Sequence, residues 1–117
     1  METIELFIYN IVGSQLCIEA EDGQKVYEKI KKGFDENKRI SLSFQNIEMI
    51  TTAFLNTAVG QLYRDYPEDK IRSSMEVKDI APDDAKRIKR VTDTAKVFYK
   101  DPEERLRKSI DEILGEK

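Results

Sequence analysis

The stretch from Arg39 to Tyr63 constrains the fold more than any other part of this chain. Ile40, Leu42 and Phe44 alternate with Ser41 and Ser43, which is the period of a strand with one strongly apolar face. The small serines predict that a helix or a backbone segment comes close to the other face. Gln45 and Asn46 end the strand. From Thr51 or Thr52 the spacing changes: Phe54, Leu55, Ala58, Val59 and Leu62 form the wide apolar stripe of a helix that runs to about Tyr66, where Pro67 stops it. A strand that turns directly into a helix with this much apolar surface must press that helix onto its own sheet.

The flanking segments extend the same alternation of elements. Thr3–Val12 is dominated by aromatic and β-branched residues with apolar side chains on both faces, and reads as an interior strand. Gly13-Ser14 is a turn signal, and Leu16–Ile18 reads as a short second strand. Residues 21–37 repeat Val26, Ile30 and Phe34 at helical spacing. Gly23 and Gly33 weaken that helix by about 1 kcal/mol each relative to alanine, so tertiary packing must support it. Ile71, Ser73, Met75 and Val77 continue with period two, which predicts a strand over Arg72–Lys78. Ala81-Pro82-Asp83-Asp84 starts a helix, with proline in the first turn and Ile88, Val91, Ala95 and Phe98 as its buried line. Asp101-Pro102-Glu103-Glu104 starts another, capped by Asp101, with a stripe of Leu106, Ile110, Ile113 and Leu114. The expected class is α/β: one domain over residues 1–117, with a small mixed or mainly parallel sheet, right-handed connections, helices packed on it and extra C-terminal helices.

Composition removes several kinds of chemistry. With 117 residues the chain can bury about two thirds of its unfolded surface, enough for one core without staples. It has no histidine and one cysteine, so a Ser-His-Asp or Cys-His centre and a Cys/His zinc site are excluded. Cys17 alone forms no internal disulfide, which fits a cytoplasmic location, and in its apolar run it reads as a buried small hydrophobe. No basic stretch followed by an apolar run opens the chain, and no apolar run approaches a membrane span, so neither a signal peptide nor a membrane is expected. A net charge of −3 argues against nucleic-acid binding that is blind to sequence. Lys86-Arg87-x-Lys89-Arg90 is bracketed by Asp83, Asp84 and Asp93 and reads as a solvated helix face. Gly13 and Gly23 belong to no nucleotide-binding pattern. No cofactor is implied, and a non-enzymatic protein is the expectation.

The junction Leu42-Ser43-Phe44-Gln45-Asn46-Ile47-Glu48-Met49-Ile50-Thr51-Thr52-Ala53-Phe54 resembles that of the STAS domain (sulfate transporter and anti-sigma-factor antagonist), and more closely the STAS-like family of small prokaryotic proteins. The family pattern runs apolar-Asp-apolar-Ser-x-Val-x-Phe-Ile-Asp-Ser-Ser-Gly, and the likeness covers about residues 40–62. Here Ser43 stands where many members have aspartate, Thr51 replaces the aspartate before the phosphorylated serine, and Phe54 replaces the glycine. In anti-sigma antagonists that serine is reversibly phosphorylated by a partner kinase. The resemblance therefore implies Thr52 as the phosphoacceptor position, and a protein partner such as an ATPase or kinase.

Two roles compete for the threonines. The ordinary one is a helix cap, worth about 1 kcal/mol. The other is a docking point or phosphoacceptor, where phosphate adds nearly two negative charges at a helix start, tightening the helix while repelling an acidic partner. Asn46, Glu48, Thr51, Thr52 and Asn56 form the expected contact surface: the loop, the junction and the exposed side of the following helix. Two alternatives stand beside a regulatory interaction domain. One is a structural module whose 101–117 helix dimerises, leaving monomer and homodimer both open. The other is a small anion- or nucleotide-binding protein using the helix start.

Overall fold

The alternation in Ile40–Phe44 places β3 (Arg39–Ser43) at the centre of a three-stranded sheet, between β1 (Thr3–Phe7) and β5 (Met75–Lys78), with both pairings parallel. The computed structural model describes residues 2–99. The expected helix over residues 101–117 lies outside them. In register, Ile4, Ile40 and Met75 form one row and Leu6, Leu42 and Val77 the next, giving the sheet a continuous apolar face. The opposite face carries Glu5, Ser41 and Glu76, then Phe7, Ser43 and Lys78. There an ion pair between Glu5 and Lys78 spans the buried serines of β3.

Two crossovers build the layer on the apolar face. The first runs through α1 (Ile8–Val12), β2 (Leu16–Cys17) and α2 (Ala20–Asp35). The second runs through β4 (Met49–Ile50), α3 (Thr52–Leu55), a π-helical turn (Asn56–Gly60), α4 (Leu62–Asp65) and α5 (Glu68–Ser74). Val26, Ile30 and Phe34 of α2 meet Phe54, Leu55, Ala58, Val59 and Leu62 in one buried core, as both stripes require. The π turn is marked by the Gln61 N–H, which donates to the Asn56 carbonyl five residues back at 3.1 Å. α6 (Pro82–Phe98) packs on this turn, with Val91 and Ala95 beside Gly60. β2 and β4 form a second, two-stranded parallel sheet at the end of the junction loop.

Four expectations need correcting. The strand read over Thr3–Val12 ends at Phe7. Ile8–Val12 is helical, because Gly13 at φ 78° supplies a left-handed cap whose N–H donates to the Tyr9 carbonyl. β1 is an edge strand and not an interior one, since only β3 pairs with it among the described residues. The strand read over Arg72–Lys78 begins only at Met75: Ile71 and Ser74 are buried three residues apart, and Glu68 and Asp69 supply acids to a first helical turn that opens after Pro67. Phe98 is 55% exposed and not part of the buried line of α6, because the helix rests on the core at Val91 and Ala95 and runs past it.

Two helix backbones come close at Gly23. A Cβ there would lie 2.5 Å from the Phe54 carbonyl oxygen and 3.2 Å from the Ala58 nitrogen, both backbone atoms. At Gly33 the obstacle is Ile40 Cδ1, the end of a flexible side chain. Alanine gains about 1 kcal/mol of helix propensity at either site, while a clash against backbone costs about 1–3 kcal/mol. Gly23→Ala is therefore expected to lower the unfolding free energy by up to about 2 kcal/mol in a denaturant titration. Gly33→Ala should stay within about 1 kcal/mol of wild type. Equal losses at the two sites would contradict this account.

Candidate functional site

The junction is built by turning the chain out of β3, along β4 and into α3. Ser43 closes the strand: its hydroxyl donates to Asp79 at 2.7 Å and accepts the Gln45 N–H at 3.2 Å. Asn46 follows at φ 66°, the left-handed region that asparagine tolerates better than most residues. The Ile47 N–H returns to the Phe44 carbonyl at 3.1 Å, and the Glu48 N–H reaches the Gln15 carbonyl at 2.8 Å. Met49–Ile50 then pairs with Leu16–Cys17.

At the helix start the two threonines have different surroundings. Thr51 is the N-cap: its hydroxyl accepts the Phe54 N–H at 3.1 Å and donates to the Ile18 carbonyl at 2.6 Å. Its own N–H donates to the Cys17 carbonyl at 3.0 Å, so the cap is tied by its backbone to β2 and by its side chain to the residue just after that strand. Thr52 is the first helical residue and is exposed, and its hydroxyl takes no hydrogen bond among the described residues. Asn46 and Glu48 are exposed in the preceding loop. Asn56 is also exposed, one turn further along, where it lines a groove of about 270 Å³ with Gly60, Thr94 and the end of α6. Asn46, Glu48, Thr51 and Thr52 thus share one short stretch of chain, and Asn56 opens toward a different neighbour.

Sequence reading missed β4 and, with it, the surface beside the junction. Leu16 stands opposite Met49 in the small sheet, and both are exposed. Each strand is two residues long, too short for periodicity to reveal it.

Behind the junction Cys17 is fully buried, as its apolar context predicts. Burial, reinforced by the nearby charge of Asp22, pushes its thiol up to about 11, so it stays protonated at neutral pH. Further down the helix pair, the Tyr66 hydroxyl donates to Asp35 at 2.6 Å. That bond is the main cause holding the Asp35 carboxyl below its usual range, while burial first, and Asp35 second, push the tyrosine up. Among the described residues no group of three His, Cys, Asp or Glu side chains is placed to hold a metal ion. No described helix is long and apolar enough to cross a membrane.

The family model described as a STAS-like domain of unknown function (DUF4325) matches residues 22–85, from the first turn of α2 through the junction and β5 into α6. No curated protein and no solved structure matches the chain.

The different surroundings of the two threonines can be measured. Thr51→Ala removes a cap and its bond to the Ile18 carbonyl, and should cost about 1–2 kcal/mol in unfolding free energy. Thr52→Ala should change it by less than about 0.5 kcal/mol. Cys17 should react with a thiol reagent at pH 8 only as fast as the domain opens, and at full speed in denaturant; rapid reaction in the native state would contradict its burial.

Proposed function

The chain belongs to the STAS-like domain family, and from that membership we propose that it is a non-enzymatic regulatory domain that docks another protein at its strand–helix junction. Thr52 is the residue at which phosphate modulates the contact. The observation that carries this reading is the difference between neighbouring threonines: Thr51 uses its hydroxyl in both directions to build the turn, whereas Thr52 presents a hydroxyl to solvent with no structural duty among the described residues.

Phosphate on that hydroxyl adds about 1.5 to 2 negative charges. The first turn of a helix accommodates them, because its unpaired N–H groups carry partial positive charge. Folding is then spared while the electrostatic face shown to a partner changes sharply. Asn46 and Glu48 on the loop side, and Asn56 on the helix side, flank Thr52 in sequence and are open to solvent.

The test begins with capture of the partner from a lysate of the native cells and its purification. Its affinity is then measured for wild type, Thr52→Ala and Thr52→Glu. Alanine should leave the affinity within about twofold, since a lone exposed hydroxyl contributes little. Glutamate should change it by about fivefold or more, the scale of a charge placed in an interface. One affinity shared by all three proteins would remove Thr52 from the contact.

A further inference from the structure

We infer that the outer face of the β2–β4 pair is the seat for an apolar segment of the partner protein that is flanked by lysine or arginine. This rests on the docking role proposed above and supplies the chemistry of the partner. In the small sheet Leu16 lies opposite Met49 and Cys17 opposite Ile50. Alternation sends Cys17 and Ile50 into the core and turns Leu16 and Met49 to solvent, at 45% and 51% exposure. Ile18, two residues beyond Leu16, is 41% exposed. Its carbonyl accepts the Thr51 hydroxyl, so this apolar face ends at the threonine pair. Leu16 and Met49 on the open face of the small sheet, with Ile18 exposed just past the end of β2, mark an interaction surface and not ordinary scatter.

The charges around this face select the occupant. Glu19 follows Ile18, Glu48 precedes Met49, and Glu21 lies in the first turn of α2. All three are exposed, and none forms an ion pair among the described residues. Asp22, next in the chain, has its cation in Lys25. Three exposed carboxylates without a cation among the described residues, each within three residues of Ile18 or Met49 in the chain, give this end of the domain the charge that complements an apolar segment flanked by cations. A second copy of this chain is disfavoured, because a two-fold contact would bring the same carboxylates face to face. An anionic lipid surface is disfavoured by the same sign.

The probes are two synthetic peptides, one with leucines between lysine pairs and one with glutamate in place of each lysine, titrated into the isotope-labelled full chain. The lysine peptide should shift the amides of residues 15–19 and 48–52, and bind about tenfold tighter than the glutamate peptide. Its affinity should fall with added salt, on Met49→Glu, and on joint Glu19→Gln and Glu48→Gln substitution, with the rest of the spectrum unchanged. Equal affinities, or shifts elsewhere, would overturn the proposal. So would a doubling of mass that Met49→Glu abolishes, which would make a second copy the occupant. Binding of anionic vesicles with the same sensitivity would assign the face to lipid. Movement of Leu16 and Met49 signals on removing residues 101–117 would assign it to the chain's own C-terminal segment. Each of these outcomes also overturns it. With the purified partner, Thr52→Glu should tighten the complex, since the added charge meets cations. Weaker binding would overturn the basic partner and leave docking at Thr52 standing; no change would overturn the docking role itself.

Discussion

At Gly23 the backbone of α2 comes up against the backbone of the helix that leaves the junction, with the Phe54 carbonyl and the Ala58 nitrogen too near for a side chain to stand between them. Everything on the apolar side of the sheet is arranged around that approach. It brings Val26, Ile30 and Phe34 within reach of Phe54, Leu55, Ala58 and Leu62, and so closes the core. Polar contacts continue along the same seam: Gln24 accepts from Gln61 at 2.8 Å, Tyr27 donates to Asp65, and Tyr66 donates to Asp35. These bonds add direction to a contact that burial alone would leave free to slide. A glycine that lowers helix propensity by about 1 kcal/mol is thereby the residue that lets the helix dock.

Most of the architecture was legible where one element extended over several turns or pleats. The Ile40–Phe44 alternation, the stripe of α2 and the stripe from Phe54 to Leu62 each repeat often enough to fix both element and face. Reading failed where segments were short. Ile8–Val12 carries strand-like residues yet turns as a helix, since one left-handed glycine ends it and one buried isoleucine anchors it. In Ile71–Val77, period two and a three-residue step fit the first few positions equally well, and burial of Ser74 decides for the helix. Phe98 continued the spacing of Val91 and Ala95, but spacing does not reveal where the neighbouring layer stops.

The site divides the same way. That a helix begins at Thr51–Thr52 was readable from spacing, and Thr52 from likeness to a family pattern; which threonine caps was not. That choice depends on the Ile18 carbonyl, thirty-three residues away in sequence, which draws the Thr51 hydroxyl inward. The apolar face beside it was equally hidden, because Leu16 and Met49 become neighbours only through a pairing two residues long. Local pattern reports local geometry, and a surface assembled from two distant segments leaves no trace in either one.

The π turn at Asn56–Gly60 holds one more residue than a regular helical turn needs. Each residue advances an α-helix by about 100°, so that surplus resets which way the following side chains aim. Phe54 ahead of it and Thr57 and Ala58 within it lie against Gly23 of α2; at its end, Gly60 lies against Val91 and Ala95 of α6. One rod is in effect indexed twice, like a shaft with two offset keyways. The same five residues therefore face α2 at Thr57 and Ala58 and α6 at Gly60, so deleting the surplus residue would misalign both contacts at once.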